Sequence, residues 1–231
     1  MSLRKNIFDE DTMNKISFYN VIGPVMIGPS SSHTAGACRI GRAARAICGE
    51  GFNKIHFKLY GSFAKTYMGH GTDKALIAGC LGLRSDDERI KTAYTLADEA
   101  GIDLTFEEVD LVNAHPNTAI IEFEYPNGTM KSVTGISTGG GQIEITRIGG
   151  DEVQIFPGDP TIILQYADRK GIISLVSKIL YENDYNIELI RNNVNDKEIT
   201  LILILDKKLD EDTYEKIKTC MDFDHITYVY F

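Results

Sequence analysis

Polar and apolar residues alternate over Lys54-Ile-His-Phe-Lys-Leu-Tyr60, with Ile55, Phe57 and Leu59 on one side. A period of two predicts a strand with one face in a core and one in water. Ahead of it, Ala37, Ile40, Ala44 and Ile47 recur at helical spacing, and Arg39, Arg42 and Arg45 fall on the opposite side. That helix is predicted to begin near Thr34. A second, apolar helix is expected over Ala75–Leu81. Ser85-Asp-Asp-Glu88 has capping-box spacing and opens a third, with Ile90, Ala93, Tyr94 and Ala97 on one face and Gly101 as its stop. Asn127-Gly128 and Gly149-Gly150 are hairpin pairs, which imply an antiparallel meander from about Thr118 to Phe156.

Past Ile155-Phe-Pro-Gly-Asp-Pro-Thr161 the pattern changes, and the two prolines and the glycine there mark a boundary. Thr161–Ala167 reads as a strand and Asp168-Arg-Lys-Gly171 as a turn. Ile172, Leu175, Val176, Ile179 and Leu180 then keep helical spacing as far as Glu182. Tyr185–Asn192 and Glu198–Leu205 read as strands around a turn at Asn193–Lys197. Asp210–Met221 reads as a helix and Ile226–Phe231 as a last strand. The order βαββαβ is the ferredoxin-like plan. The chain is therefore expected to be α+β, with one domain over 1–156 and a second over 157–231.

A length of 231 residues suits two domains, and 43% hydrophobic with 25% charged content is that of a globular protein. The 24 Lys and Arg against 33 Asp and Glu leave a net charge of −9, which repels phosphate backbones. Nucleic acid is not an expected partner. The charged segment Met1–Asn20 has no apolar centre of a signal peptide, and the longest apolar run, Leu201–Leu205, is too short to span a bilayer. No membrane association and a cytoplasmic location are expected. Cys38, Cys48, Cys80 and Cys220 are irregularly spaced and contain no Cys-x-x-Cys pair, so no metal site is assigned to this chain.

The most unusual segment is Gly28-Pro-Ser-Ser-Ser-His-Thr-Ala-Gly-Ala37. A helix start offers unpaired N–H groups and a partial positive charge, both suited to a carboxylate. The dipole contributes only about 0.3–1 kcal/mol, so the hydroxyls of Ser30, Ser31, Ser32 and Thr34 must supply most of any specificity. His33 stands where a titratable group reaches a bound ligand. The plainer alternative is that one serine caps the helix and the others are solvated. Gly69-His-Gly-Thr-Asp73, expected to set His70 beside helix-start donors, and His115-Pro-Asn-Thr118 add two more loop histidines. Three histidines so placed point to a polar pocket. Gly69, Gly71, Thr72, Asn117 and Thr118 are its further candidate substrate-binding residues. His56 and His225 read as structural. Ser137-Thr-Gly-Gly-Gly141 either admits close backbone approach to a ligand or is simply a hairpin turn.

These segments resemble the beta region of the iron–sulfur-dependent L-serine dehydratases. The ten residues Gly28–Ala37 match that family's signature, and Gly61-Ser62, Gly69–Asp73 and His115–Thr118 match its later blocks. The resemblance runs from about Ile16 to Phe156. It implies an allosteric-substrate-binding-like fold for the first half, one also found in some phosphoglycerate dehydrogenases. The second half resembles the ACT family of regulatory domains in its element order and its Asp168–Gly171 turn. A ferredoxin-like domain that only dimerises is the alternative there.

The resemblance also implies a lyase that deaminates L-serine to pyruvate and ammonia. In that family an iron–sulfur cluster sits on a separate alpha subunit, held by cysteines that this sequence lacks. The chain would then be a beta subunit, inactive without its alpha partner and dimerising through its ACT-like half. His33 is the first candidate for proton transfer, with His70 and His115 behind it. A pyridoxal phosphate route would need a Schiff-base lysine; only Lys65 offers itself, and no phosphate-cradling pattern frames it. An alternative function is a non-catalytic amino-acid-binding regulatory module. The arginine stripe of the first helix either docks the alpha chain or is solvated.

Overall fold

The structure is a computed structural model that describes residues 26–195 and 198–230. The charged start of the chain, the family resemblance over Ile16–Val25, the turn residues Asp196 and Lys197, and Phe231 lie outside the described residues. The fold is mixed α+β, with two sheets and six α-helices among the described residues.

The first sheet contains β1 (Lys54–Gly61), β2 (Asp103–Glu108), β3 (Asn117–Glu124), β4 (Met130–Gly139), β5 (Gln142–Ile148) and β6 (Asp151–Ile155), in the order β2-β1-β3-β4-β5-β6. Strand β1 buries Ile55, Phe57 and Leu59 as its alternation predicts. It pairs antiparallel with β3, so that Gly61 faces Asn117, and parallel with β2. The sequence reading did not anticipate β2. Only intermediate burial alternates along its length, so it lacks the apolar period that marks β1. The meander β3–β6 is antiparallel throughout, and Gly139–Gly141 is the turn between β4 and β5.

A π-helical turn at Ser31–Gly36 leads directly into α1 (Ala37–Cys48). The helical path thus begins three residues ahead of Thr34. The Ser30 hydroxyl accepts from His33 N at 3.2 Å, and the Ser30 carbonyl accepts from Thr34 N. This cap holds the serine run in helical conformation. Helices α2 (Ser62–His70) and α3 (Thr72–Cys80) follow β1. Helix α2 carried no legible stripe, because only Phe63 and Ala64 of its residues are buried. Helix α4 (Ala93–Glu99) is preceded by a short 3-10 turn at Glu88–Thr92. The cap of that 3-10 turn is Asp87, whose carboxylate accepts from Arg89 N.

Helices α1 and α3 touch backbone to backbone. A Cβ on Gly41 would lie 2.5 Å from Leu76 O, and one on Gly79 would lie 2.1 Å from Cys38 O. Only glycine permits that approach. The result clamps α1 between α3 and the sheet, and Arg39, Arg42 and Arg45 are half-buried rather than freely solvated. Arg39 donates to Gly141 O at 2.8 Å and Arg45 to Cys80 O at 3.2 Å.

The second sheet holds β7 (Thr161–Ala167), β8 (Ile187–Asn195), β9 (Glu198–Leu205) and β10 (His225–Val229), antiparallel in the order β10-β7-β9-β8. Helices α5 (Ile172–Glu182) and α6 (Glu211–Thr219) cover one face, over Ile162, Leu164, Leu201 and Leu203. From the other face Ile163, Ile202 and Val229 join the core of the first unit.

Candidate functional site

The site lies where three chain segments meet at one end of the first sheet. Strand β1 ends at Gly61, whose φ of +62° turns the chain sharply; a Cβ there would lie 2.7 Å from Pro116 O. The turn starts α2 at Ser62, whose N–H donates to Pro116 O at 2.7 Å. That bond ties the α2 start to the His115-Pro-Asn117 segment entering β3. The π-helical turn brings the third segment, Ser30–Thr34.

His33 is the centre of the arrangement. Its Nδ1 lies 3.2 Å from Ser32 Oγ and 3.4 Å from Ser30 Oγ, and its Nε2 lies 3.0 Å from Ser62 Oγ. Each ring nitrogen therefore meets a hydroxyl able to donate or accept. The ring sits edge-on to Phe63 at 5.3 Å and to His70 at 5.0 Å, centroid to centroid. Partial burial lowers the His33 pKa below its ordinary value, and the neighbouring His70 lowers it further; a hydrogen bond with Ser62 pulls the other way. A neutral imidazole flanked by hydroxyls can accept or relay a proton at neutral pH.

His70 closes α2, and the left-handed Gly71 both ends that helix and forms the N-cap of α3 at Thr72, so His70 stands directly ahead of a helix start as expected. The His70 ring faces His33, and its carbonyl accepts from Thr34 Oγ1 at 3.2 Å. His115 Nδ1 accepts from Asn117 N at 3.1 Å, which leaves Nε2 as the protonated nitrogen of the neutral ring. Asn117 Nδ2 donates to Ser137 O and Thr118 Oγ1 to His115 O.

The remaining sequence candidates are placed differently. Ser31 is half-buried in the first position of the π-helical turn. Gly69 is exposed in α2, and Gly71 is the joint between α2 and α3. Thr72 is wholly buried, and its hydroxyl has no hydrogen-bond partner among the described residues. Lys65 stands on the exposed side of α2. Gly61-Ser62 is a block of the family resemblance, but neither Ser62 nor Phe63 is among the residues the sequence assigns to the site; the local signal for them is a glycine-serine pair directly after an alternating strand.

The cysteine thiols do not form a donor set for iron or sulfide. Burial pushes Cys38 and Cys48 up to about 12, and it raises Cys80 as well. A metal needs the thiolate. Among the described residues, no group of three or more His, Cys, Asp or Glu side chains is gathered to hold a metal ion.

Comparison with known proteins shows what the chain is similar to. Residues 20–102 match the family model described as serine dehydratase beta chain. The chain is 43% identical over 210 residues to the L-serine dehydratase beta chain of Peptoniphilus asaccharolyticus, covering 90% of this chain and 94% of that one. It is 42% identical over 214 residues to the probable L-serine dehydratase beta chain of Bacillus subtilis (strain 168), covering 91% and 96%. An L-serine dehydratase of Helicobacter pylori (strain ATCC 700392 / 26695) is 28% identical over 174 residues, which are 66% of this chain but 38% of that longer protein.

Proposed function

The chain belongs to the serine dehydratase beta chain family, and from that premise we propose that it binds L-serine at the His33 pocket and moves protons there. Its lyase activity, release of pyruvate and ammonia, would arise only with an alpha subunit. The observation that carries this reading is His33, neutral and with a hydroxyl within 3.4 Å of each ring nitrogen, in the first turn of a helical segment.

The substrate carboxylate rests against the first N–H groups of the π-helical turn and the hydroxyls of Ser30–Ser32. Ser30 caps the turn and Ser32 meets the His33 ring, so their hydroxyls orient the site and Ser31 is the freer group. His33 takes or relays the α-proton, and Ser62 holds the ring at the angle required. Phe63 closes the pocket on one side. The reading assigns Asn117 to the substrate and leaves Thr118 to close the turn at His115.

Departure of the serine hydroxyl requires an acid or a Lewis acid beyond these residues. An iron–sulfur cluster does not fit this chain: burial keeps the Cys38, Cys48 and Cys80 thiols protonated, and among the described residues no three metal-ligating side chains are gathered. We assign the cluster to the alpha subunit and route no step of this chain's chemistry through it.

Residues 157–231 are read as an ACT-like regulatory and dimerising domain, supported by the βαββαβ order and the strand order β10-β7-β9-β8. A cytoplasmic location accords with the described helices, none of which is long and apolar enough to cross a membrane.

The test is His33→Ala in the reconstituted two-chain enzyme. A lost proton-transfer group lowers kcat by roughly 10²–10⁴-fold at saturating L-serine while the two chains still co-purify. An unchanged kcat with a shifted half-saturation would sink the catalytic role and leave a regulatory site.

A further inference from the structure

A second concave site lies at the far end of α1, between the two sheets. A cleft of about 570 Å³ is lined from the first unit by the end of α1, by β3 and β4, and by the β5–β6 turn. The second unit lines it with β7, β9 and the start of β10. That volume lies within the range of small-molecule sites, which favour seams between structural units.

The lining is amphipathic in a specific way. Ile148 from the first unit and Ile163 from the second form an apolar floor. Lys131 is the cation of the cleft; its ammonium donates to Cys48 O at 2.9 Å and has donors to spare. His225 meets Thr227 Oγ1 through Nε2 at 2.7 Å and also hydrogen-bonds the Ile47 backbone. The lining also includes the carboxylates Glu122, Glu198 and Asp224. Glu122 is neutralised by Lys58 at 2.8 Å, whereas Asp224 forms no ion pair among the described residues.

We propose that this cleft binds a small zwitterion with an apolar side chain. Its carboxylate would meet Lys131, its ammonium Asp224 and Glu198, and its side chain the isoleucine floor. A phosphate or dicarboxylate would meet more carboxylates than cations and is disfavoured by sign. The cleft is distinct from the His33 pocket. Helix α1 spans about 18 Å at 1.5 Å per residue, and it carries Cys48 at the cleft and the serine turn at its other end. Strand β4 makes the same connection, with Lys131 lining the cleft and Ser137 O accepting from Asn117 at the pocket. Occupancy of the cleft would therefore bear on two elements that also build the first site. The inference does not depend on the catalytic reading.

The experiment is calorimetric titration of the full chain with L-leucine, 4-methylpentanoate (which lacks the ammonium), isoamylamine (which lacks the carboxylate) and inorganic phosphate. L-Leucine is expected to bind at one site per chain, and each of the other probes at least tenfold more weakly. Asp224→Asn, at an exposed position, and Lys131→Gln should each weaken L-leucine by roughly tenfold or more, the usual effect of losing a hydrogen bond to a charged group. His33→Ala should leave the affinity unchanged. Should Lys131→Gln fail to fold, Asp224→Asn decides alone. The proposal is overturned by no heat from L-leucine, by equal binding of the three organic probes, or by affinity that survives Asp224→Asn. Loss of binding in His33→Ala with retention in Asp224→Asn would move the ligand to the first pocket and likewise end it.

Discussion

The imidazole of His33 and the hydroxyl of Ser62 meet at 3.0 Å, although 29 residues separate them in the chain. The contact joins the serine turn before α1 to the start of α2. It also fixes one ring nitrogen, and with it the direction in which the other can exchange a proton. Removing one partner of a buried bond costs more than the bond itself contributes.

Ser62→Ala should accordingly lower kcat/KM for L-serine by roughly 10–100-fold, corresponding to about 1.4–2.7 kcal/mol. Ser62→Thr, which keeps the hydroxyl, should recover most of it. Steady-state kinetics of the two-chain enzyme read both. Equal activity of the alanine and wild-type forms would show that the ring needs no such anchor.

The pH dependence follows from the lowered pKa of His33. Burial, then His70, keeps the folded-state value below the unfolded 6.5, so the unfolded chain binds more protons in that window. Stability therefore falls as pH drops through about 6.5, and the loss levels off once the folded-state value is passed. His225, lowered by burial and by Lys131, adds to the same trend. Thermal melts of His33→Gln and His225→Gln should each show a flatter pH dependence than wild type. The acid limb of kcat/KM should lie below the ordinary histidine value and vanish in His33→Gln.

Backbone contact between α1 and α3 makes Gly79 intolerant of a side chain. A Cβ would lie 2.1 Å from Cys38 O and 2.9 Å from Arg42 N, both backbone atoms that cannot rotate away. Gly79→Ala should cost about 1–3 kcal/mol, or roughly 2–4 °C in Tm for each of those units. Gly69→Ala, in exposed α2 with nothing within 4 Å, should instead raise stability by roughly 0.5–1 kcal/mol. Paired denaturation curves check the contrast.

Thr72 buries a hydroxyl that has no partner among the described residues. Thr72→Val keeps its shape and removes the unsatisfied group, so Tm should rise by an amount corresponding to roughly 1 kcal/mol. KM for L-serine should not change, because the side chain has no solvent-facing surface. A raised KM without a raised Tm would instead return Thr72 to the substrate contacts expected from the sequence.

The thiol chemistry allows a spectroscopic check. Burial holds Cys38, Cys48 and Cys80 protonated, and among the described residues they belong to no group of three or more metal-ligating side chains. The purified chain, incubated with iron and sulfide and then desalted, should show no visible charge-transfer band. A brown chain would place a cluster here after all.

Local patterns along the chain determined those elements whose apolar residues recur against a single core. The alternation at Ile55, Phe57 and Leu59 located β1. The stripe from Ile172 to Leu180 located α5 to the residue, and Asn127-Gly128 located a hairpin. Such signals are legible because burial on one face imposes a period. The serine-histidine segment also stood out as a helix start, since its glycine, proline and hydroxyl residues do local work. Tertiary structure alone decided the rest. Helix α2 and strand β2 escaped notice because too few of their residues face the core to impose a period. His70 proved to end a helix, since the left-handed Gly71 gives no periodic signal. The meeting of His33 with Ser62, Phe63 and His70 depends on β1 pairing with β3, which carries Pro116 to the start of α2. No local pattern encodes a contact that arises only when distant strands come into register.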